Sequence, residues 1–291
     1  MGRIKMAAVA GVVVVLIGLG SLATGLPQRI LLGQADLPSP AKTGVEKPAA
    51  GQFPHHLLGG VQQRHVDAQG QVDYVGMAKD KALKQYLEAL ARWSPASHPA
   101  LFPTRQDQLT YYINAYNALV FWGVIQHWPI KSVQDVQFES LIKLKDGQGF
   151  FYSLRFELGG QWINLYDLEN TIIRGYGDAR IHAAINCASK GCPKLATFAF
   201  TPDQLDQQLT LVMEVMVNEP RNVRVNTDQG TIEASSIFDW FRSDFEAEAP
   251  SLPQYWLKYA KPPLRAQLQA AQTHPIAFVP YDWGINAQPS P

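Results

Sequence analysis

The sequence lacks any net charge, because its 25 Lys and Arg residues balance its 25 Asp and Glu residues over 291 positions. It also has no cluster of Lys or Arg interleaved with aromatics, so the electrostatic footprint of a nucleic-acid-binding protein is missing. No nucleic acid is expected as a partner. Cysteine is nearly absent: Cys187 and Cys192 are the two in the chain, and with neither near the N-terminus, lipid attachment at a cysteine there is excluded. Strand and helix patterns do not alternate in the βαβ manner. That absence points to an α+β chain, helix-rich with short antiparallel hairpins.

What is present begins with Met6 to Leu26, an uncharged run behind Arg3 and Lys5. Such a run reads as a membrane anchor or a secretory signal. Its length suits a bilayer span, and Ser21-Leu22-Ala23 is an acceptable cleavage site. The anchor is the preferred reading, with the membrane as a partner through residues 6–26. The positive-inside rule then gives a single-pass protein of a bacterial inner membrane with its body facing the periplasm. Cleavage near Ala23 would instead release a soluble periplasmic protein. Either address permits disulfides. Residues 27–54 carry Pro27, Pro38, Pro40, Pro48 and Pro54 and read as a spacer. Residues 55–286, about 230 positions, suffice for one globular domain with a buried core.

Along that body, His55 and His56 read as two solvated residues in preference to metal ligands. Val72 to Val75 resembles a short strand, and Leu83, Tyr86, Leu87 and Leu90 mark a helix over 79–93. Residues 106–127 are apolar on nearly every side, which predicts a deeply buried helix. Asn114 and Asn117 interrupt it. Three residues apart, they share a helix face, and a buried amide without a partner costs roughly 1–3 kcal/mol. Both must therefore bond to neighbouring backbone or take part in a site. A hairpin is expected through Gly159-Gly160. Asn164 then caps a helix through Leu168 and Ile173, on which Glu169 borders the buried face more closely than Asp167. Thr201-Pro202 reads as the start of a helix running to Glu219. A second hairpin follows over 223–233, then an aromatic-rich helix through Phe238, Trp240, Phe241 and Phe245, a helix over 252–259 and a last strand over 276–283.

Between these lies the stretch Arg180 to Pro193, which holds both cysteines and His182. Ile181 to Ile185 is otherwise apolar and suits a short buried segment, and Asn186 to Pro193 suits a loop. Three chemistries fit it. A Cys187–Cys192 disulfide is allowed by the five-residue separation and by Gly191 in the bend. A nucleophilic Cys187 would use His182 as base, oriented by Glu169, with an amide of Asn114 or Asn117 donating to an oxyanion. Five residues apart, however, His182 and Cys187 fall on opposite faces of a strand or about 140° apart on a helix. Zinc held by His182, Cys187 and Cys192 lacks a fourth ligand at a recognisable spacing, so no metal or other cofactor is expected.

The residues Tyr112-Ile113-Asn114-Ala115-Tyr116-Asn117-Ala118-Leu119, Leu168-Glu169, Ile173-Arg174, Ile181-His182-Ala183-Ala184-Ile185-Asn186-Cys187-Ala188, Cys192-Pro193, Ser236 to Trp240, Asp244-Phe245 and Tyr281-Asp282-Trp283 together resemble the domain-of-unknown-function family 547. The chain is similar to a bacterial, membrane-anchored member over most of its body. Asn170 departs from the histidine that often follows the glutamate in that family. The resemblance implies a fold and a candidate pocket with no agreed activity. Two functions follow from the residues: a hydrolase or acyl transferase with a His182-centred site using Glu169 and Cys187, or a non-catalytic binding or scaffold domain. The second has a structural disulfide, and its partner is an unknown small molecule or envelope component.

Overall fold

In the computed structural model, residues 33–39, 42–138 and 149–289 are described. They divide into two compact units. The larger comprises the described residues of 34–138 and 144–212 together with 282–289, and the smaller comprises Gly33 and 213–281.

The larger unit begins with strand β1 (Ala35–Asp36), inside the stretch read as a spacer. Helix α1 (His55–His65) buries His55, Leu58, Val61 and Gln62 on one face, and α2 (Tyr74–Met77) is a single turn capped by Asp73. Helix α3 (Lys81–Arg92) starts at Asp80, whose carboxylate accepts from the Ala82 amide at 2.9 Å. Its apolar stripe packs on α1. Helix α4 (Arg105–His127) opens with a capping box: the Thr104 hydroxyl accepts from the Asp107 amide at 3.0 Å, and Asp107 Oδ2 accepts from the Thr104 amide at 2.9 Å. As its composition predicts, α4 is buried almost without interruption from Leu109 to Phe121.

Strand β2 (Leu154–Leu158) pairs parallel with β1 and antiparallel with β3 (Gln161–Asn164). The hairpin turn is Gly159-Gly160 with φ of 61° and 79°, a left-handed pair that only glycine adopts without cost. Leu154, Phe156 and Leu158 point inward. Asn164 caps helix α5 (Leu165–Asp167) by accepting from the Asp167 amide at 2.7 Å, and the chain then widens into a π-helical turn, Leu168–Ile173. Helix α6 (Ile181–Ala184) is one buried turn. Residues 185–204 have no helix or strand, and α7 (Leu205–Asn218) follows; the division between the units falls within it.

In the smaller unit, β4 (Val223–Asn226) and β5 (Thr231–Ser235) form the second hairpin, and β6 (Ile276–Val279) joins β5 in parallel. Helices α8 (Ser236–Trp240), α9 (Arg242–Glu246), α10 (Leu252–Tyr259) and α11 (Leu264–Ala270) surround an aromatic core. Phe238 meets Trp256 edge-on at 5.2 Å, and Phe245 meets Tyr255 at 5.0 Å.

Helices with small sheets bear out the α+β reading, but several elements differ in detail. The strand expected over 72–75 reduces to a bridge at Val72, because Asp73 accepts from the Gly76 amide and starts a helix instead. The aromatic helix is broken at Phe241 into α8 and α9. The single-pass membrane placement is corrected: no helix among the described residues is long and apolar enough to cross a membrane. Even α4, at 23 residues, carries Gln, Asn and His among its apolar side chains. Residues 6–26, which suggested the anchor or signal, lie outside the described residues.

Gly123 sets how closely the sheet approaches α4. A Cβ there would stand 2.8 Å from Cζ of the fully buried Phe150 and 3.4 Å from Phe156 Cζ. Alanine in a helix interior gains at most about 1 kcal/mol over glycine, whereas forcing a methyl into a packed core costs about 1–3 kcal/mol. Overpacking wins. Gly123→Ala should lower the unfolding free energy in urea by about 1–2 kcal/mol, and a variant as stable as the parent would show that Phe150 swings aside freely.

Candidate functional site

The central stretch is held from below by α4. Asn117 Nδ2 donates to the Ala184 carbonyl at 2.9 Å, and its Oδ1 accepts from the Asn186 amide at 2.8 Å. One side chain thus completes the backbone bonding on both sides of Ile185, where α6 ends in an extended residue with φ of −89° and ψ of 140°. Asn186 continues the scheme by donating to the Pro193 carbonyl at 2.9 Å and accepting from the Ala188 amide at 2.9 Å. Ala188 is the one non-glycine among the described residues with positive φ, 62°. A left-handed alanine costs on the order of 1–3 kcal/mol and persists only where its surroundings fix it. Here a C-terminal strap does so: the amides of Lys190 and Asn286 donate to Gly284 and Ala188 carbonyls at 2.7 and 3.0 Å, and Asn286 Oδ1 accepts from the Tyr74 hydroxyl at 2.8 Å.

Cys187 and Cys192 are joined in a disulfide across this loop, with Cα atoms 6.4 Å apart. Neither sulfur is a thiolate in that state, so neither supplies a nucleophile or a metal ligand. His182 sits on α6 and is 3% exposed. Glu169 lies half-buried on the π-helical turn, where its Oε2 accepts from the Tyr116 hydroxyl at 3.1 Å. Asn114 turns to a different segment from Asn117. Its Oδ1 accepts from the Phe200 amide at 3.0 Å, and its Nδ2 donates to the Phe200 carbonyl at 2.8 Å and to His55 Nδ1 at 2.9 Å.

That last bond leads to a site that the sequence reading passed over. His55 is 5% exposed, not solvated; only His56 faces water. Because both Phe200 backbone groups pin the Asn114 amide, the atom facing His55 is a nitrogen, which can only donate. His55 Nδ1 must therefore accept, with the Tyr86 hydroxyl also 3.0 Å away, and the ring proton resides on Nε2. Burial, reinforced by His56, lowers the imidazole pKa from 6.5 to about 3, so the ring is neutral. A signal for this was available. Positions 55, 58 and 62 have helical spacing and share the buried face of α1 with Val61.

His55 lines a cleft of about 140 Å³ with Gly51, Phe53, Phe102, Asp107 and Thr201. Phe53 and Phe102 form its aromatic wall, with ring centroids 5.4 Å apart. Asp107 is 7% exposed and engages Oδ2 in the α4 cap; among the described residues nothing bonds to its Oδ1. Thr201 was expected to cap a helix. Instead α7 starts at Leu205, the Thr201 amide donates to Gln208 Oε1 at 2.8 Å, and its buried hydroxyl has no partner among the described residues. The cleft therefore presents a donor at His55 Nε2 and an acceptor at Asp107 Oδ1, and the Thr201 hydroxyl is buried in its wall.

Two predictions follow from these contacts. Replacing Asn117 by Leu strands the Ala184 carbonyl and the Asn186 amide, and Asn114→Leu strands both polar groups of Phe200; each should cost about 1–3 kcal/mol in urea melts, and two leucine variants as stable as the parent would show the amides to be idle. The second concerns pH. Unfolded His55 takes up a proton below about pH 6.5 and the folded residue does so only near 3, so the stability of the neutral buried form is complete above 6.5 and is lost as pH falls toward 3. The stability difference between the parent and His55→Gln should shrink across that window, and a difference independent of pH would show His55 to titrate normally.

Residues 101–215 match the family described as protein of unknown function, DUF547. The matched residues include α4, the Glu169 turn and the whole central stretch, and in the cleft they include Phe102, Asp107 and Thr201 but not Phe53 or His55. No curated protein and no solved structure matches the chain. The match supports the domain family that the sequence motifs resemble, and it carries no activity with it.

Proposed function

We propose that this chain is a small-molecule-binding domain in which residues 181–193 are structural. The observation that carries this reading is a contrast in how polar atoms are used. Asn114 and Asn117 are buried and bonded to backbone, and the two sulfurs are joined, whereas at the open cleft His55 Nε2 and Asp107 Oδ1 have no partner among the described residues. A ligand-binding site is concave and largely apolar, with a few convergent polar groups. The cleft has that make-up.

The hydrolase or acyl-transferase reading has less support. It needs a thiolate at Cys187, which the disulfide removes, and an oxyanion donor from α4. Both amide hydrogens of Asn114 already donate, one to Phe200 and one to His55. Asn117 Nδ2 likewise already donates to the Ala184 carbonyl.

Alkylation tests the reading. Without reductant, iodoacetamide should leave the mass of the folded protein unchanged. After reduction, Cys187 should react no faster than a simple thiol, with a rate that rises toward the ordinary pKa of about 8.5. Replacing both cysteines by serine should cost roughly 2 kcal/mol, because so short a loop constrains little of the unfolded chain. Rapid labelling of Cys187 well below pH 8 would restore the nucleophile and defeat the structural assignment.

A further inference from the structure

The geometry points to a specific ligand class for the His55 cleft: a small planar molecule with an amide-type edge, offering one hydrogen-bond donor and one acceptor. The inference rests on the binding reading above and adds to it the chemistry of what is bound. Size comes first. A cleft of about 140 Å³ is close to the roughly 150 Å³ cavity that admits benzene, so a ligand about the size of one six-membered ring fits, and because the cleft is open a small substituent can project from it. The aromatic wall of Phe53 and Phe102 favours a flat ligand, which can stack or meet the rings edge-on.

Polarity then narrows the class. His55 Nε2 is donor-only, because the Asn114 amide, itself fixed by the Phe200 backbone, assigns the acceptor role to Nδ1. Asp107 Oδ1 is acceptor-only, since Oδ2 of the same carboxylate takes both the amide and the hydroxyl of Thr104. A cation that presents only donors would satisfy Asp107 and meet the His55 N–H with a second N–H. An anion that presents only acceptors would satisfy His55 and be repelled by Asp107. A neutral amide edge satisfies both.

Three probes of nearly identical shape separate these cases on the full chain. Benzamide carries donor and acceptor, benzamidinium only donors and benzoate only acceptors. In titrations followed by amide NMR or calorimetry at neutral pH, benzamide should saturate the cleft at least tenfold more tightly than either ion. His55→Phe, which removes the donor and keeps a flat ring in the wall, should weaken benzamide about 3- to 10-fold, the loss of one neutral hydrogen bond, while the variant still melts cooperatively. Tighter binding of benzamidinium or of benzoate would overturn the amide-edge assignment, as would saturation that is indifferent to His55→Phe. No saturation by any of the three up to their solubility would remove the cleft as a site for this class. These outcomes are independent of cysteine alkylation, so failure here and failure of the structural reading of residues 181–193 are told apart.

Discussion

Two carboxamides on one buried helix, Asn114 and Asn117, hold the larger unit's most demanding segment in place. Residues 185–204 have no helix or strand, yet Ile185, Asn186, Ala188, Cys192, Leu195 and Phe200 are all buried. Backbone N–H and C=O groups in such a segment cannot bond to water and have no ladder to join, and each left alone would cost on the order of 1–3 kcal/mol. A carboxamide has the same donor and acceptor as a peptide group. Asn114 therefore pairs with Phe200 as a neighbouring strand residue would, and Asn117 bridges Ala184 and Asn186 in the same manner. Gln62 adds a third such bond to the Ala196 carbonyl at 3.0 Å, and the C-terminal strap bonds the backbone at Ala188, Lys190 and Gly191. The buried loop is thus stabilised by side chains acting as backbone.

The sequence made part of this legible. Periodicity located α3 and α4, and the strength of the apolar pattern around Asn114 and Asn117 required them to have buried partners. Which partners could not be read, because amides that bind substrate and amides that bind backbone interrupt a helix in the same way. The distinction lies in segments far away in the chain: Phe200 is 86 residues from Asn114, and Asn186 is 69 from Asn117. The same ambiguity covers His182, Glu169 and Cys187. Polar residues in apolar surroundings announce that they are engaged, and only the fold tells by what.

Local rules misplaced Thr201 and His55, for opposite reasons. Thr201-Pro202 has the composition of a helix start, but Gln208 draws the Thr201 amide into a side-chain bond and the helix begins a turn later, leaving the hydroxyl beside the cleft. His55 follows a proline-rich stretch and precedes a second histidine, which suggests solvent. Its burial comes from tertiary neighbours: Phe53, Tyr86 and Asn114 enclose it, and only Tyr86 and Asn114 on other helices give Nδ1 its bonds.

The clamp and the cleft are not independent, because Asn114 serves both. Holding Phe200 leaves this amide only a nitrogen to present to His55, so the requirement to satisfy one backbone residue also decides which imidazole nitrogen carries the proton. Were the amide free to turn over, its oxygen could face His55 Nδ1, the proton would move there, and Nε2 would become an acceptor; the cleft would then offer two acceptors, His55 and Asp107, and would favour a cation. The polarity of the cleft is therefore a consequence of how the buried loop is satisfied. A group with no contact to any ligand, the peptide of Phe200, sets what the cleft can recognise.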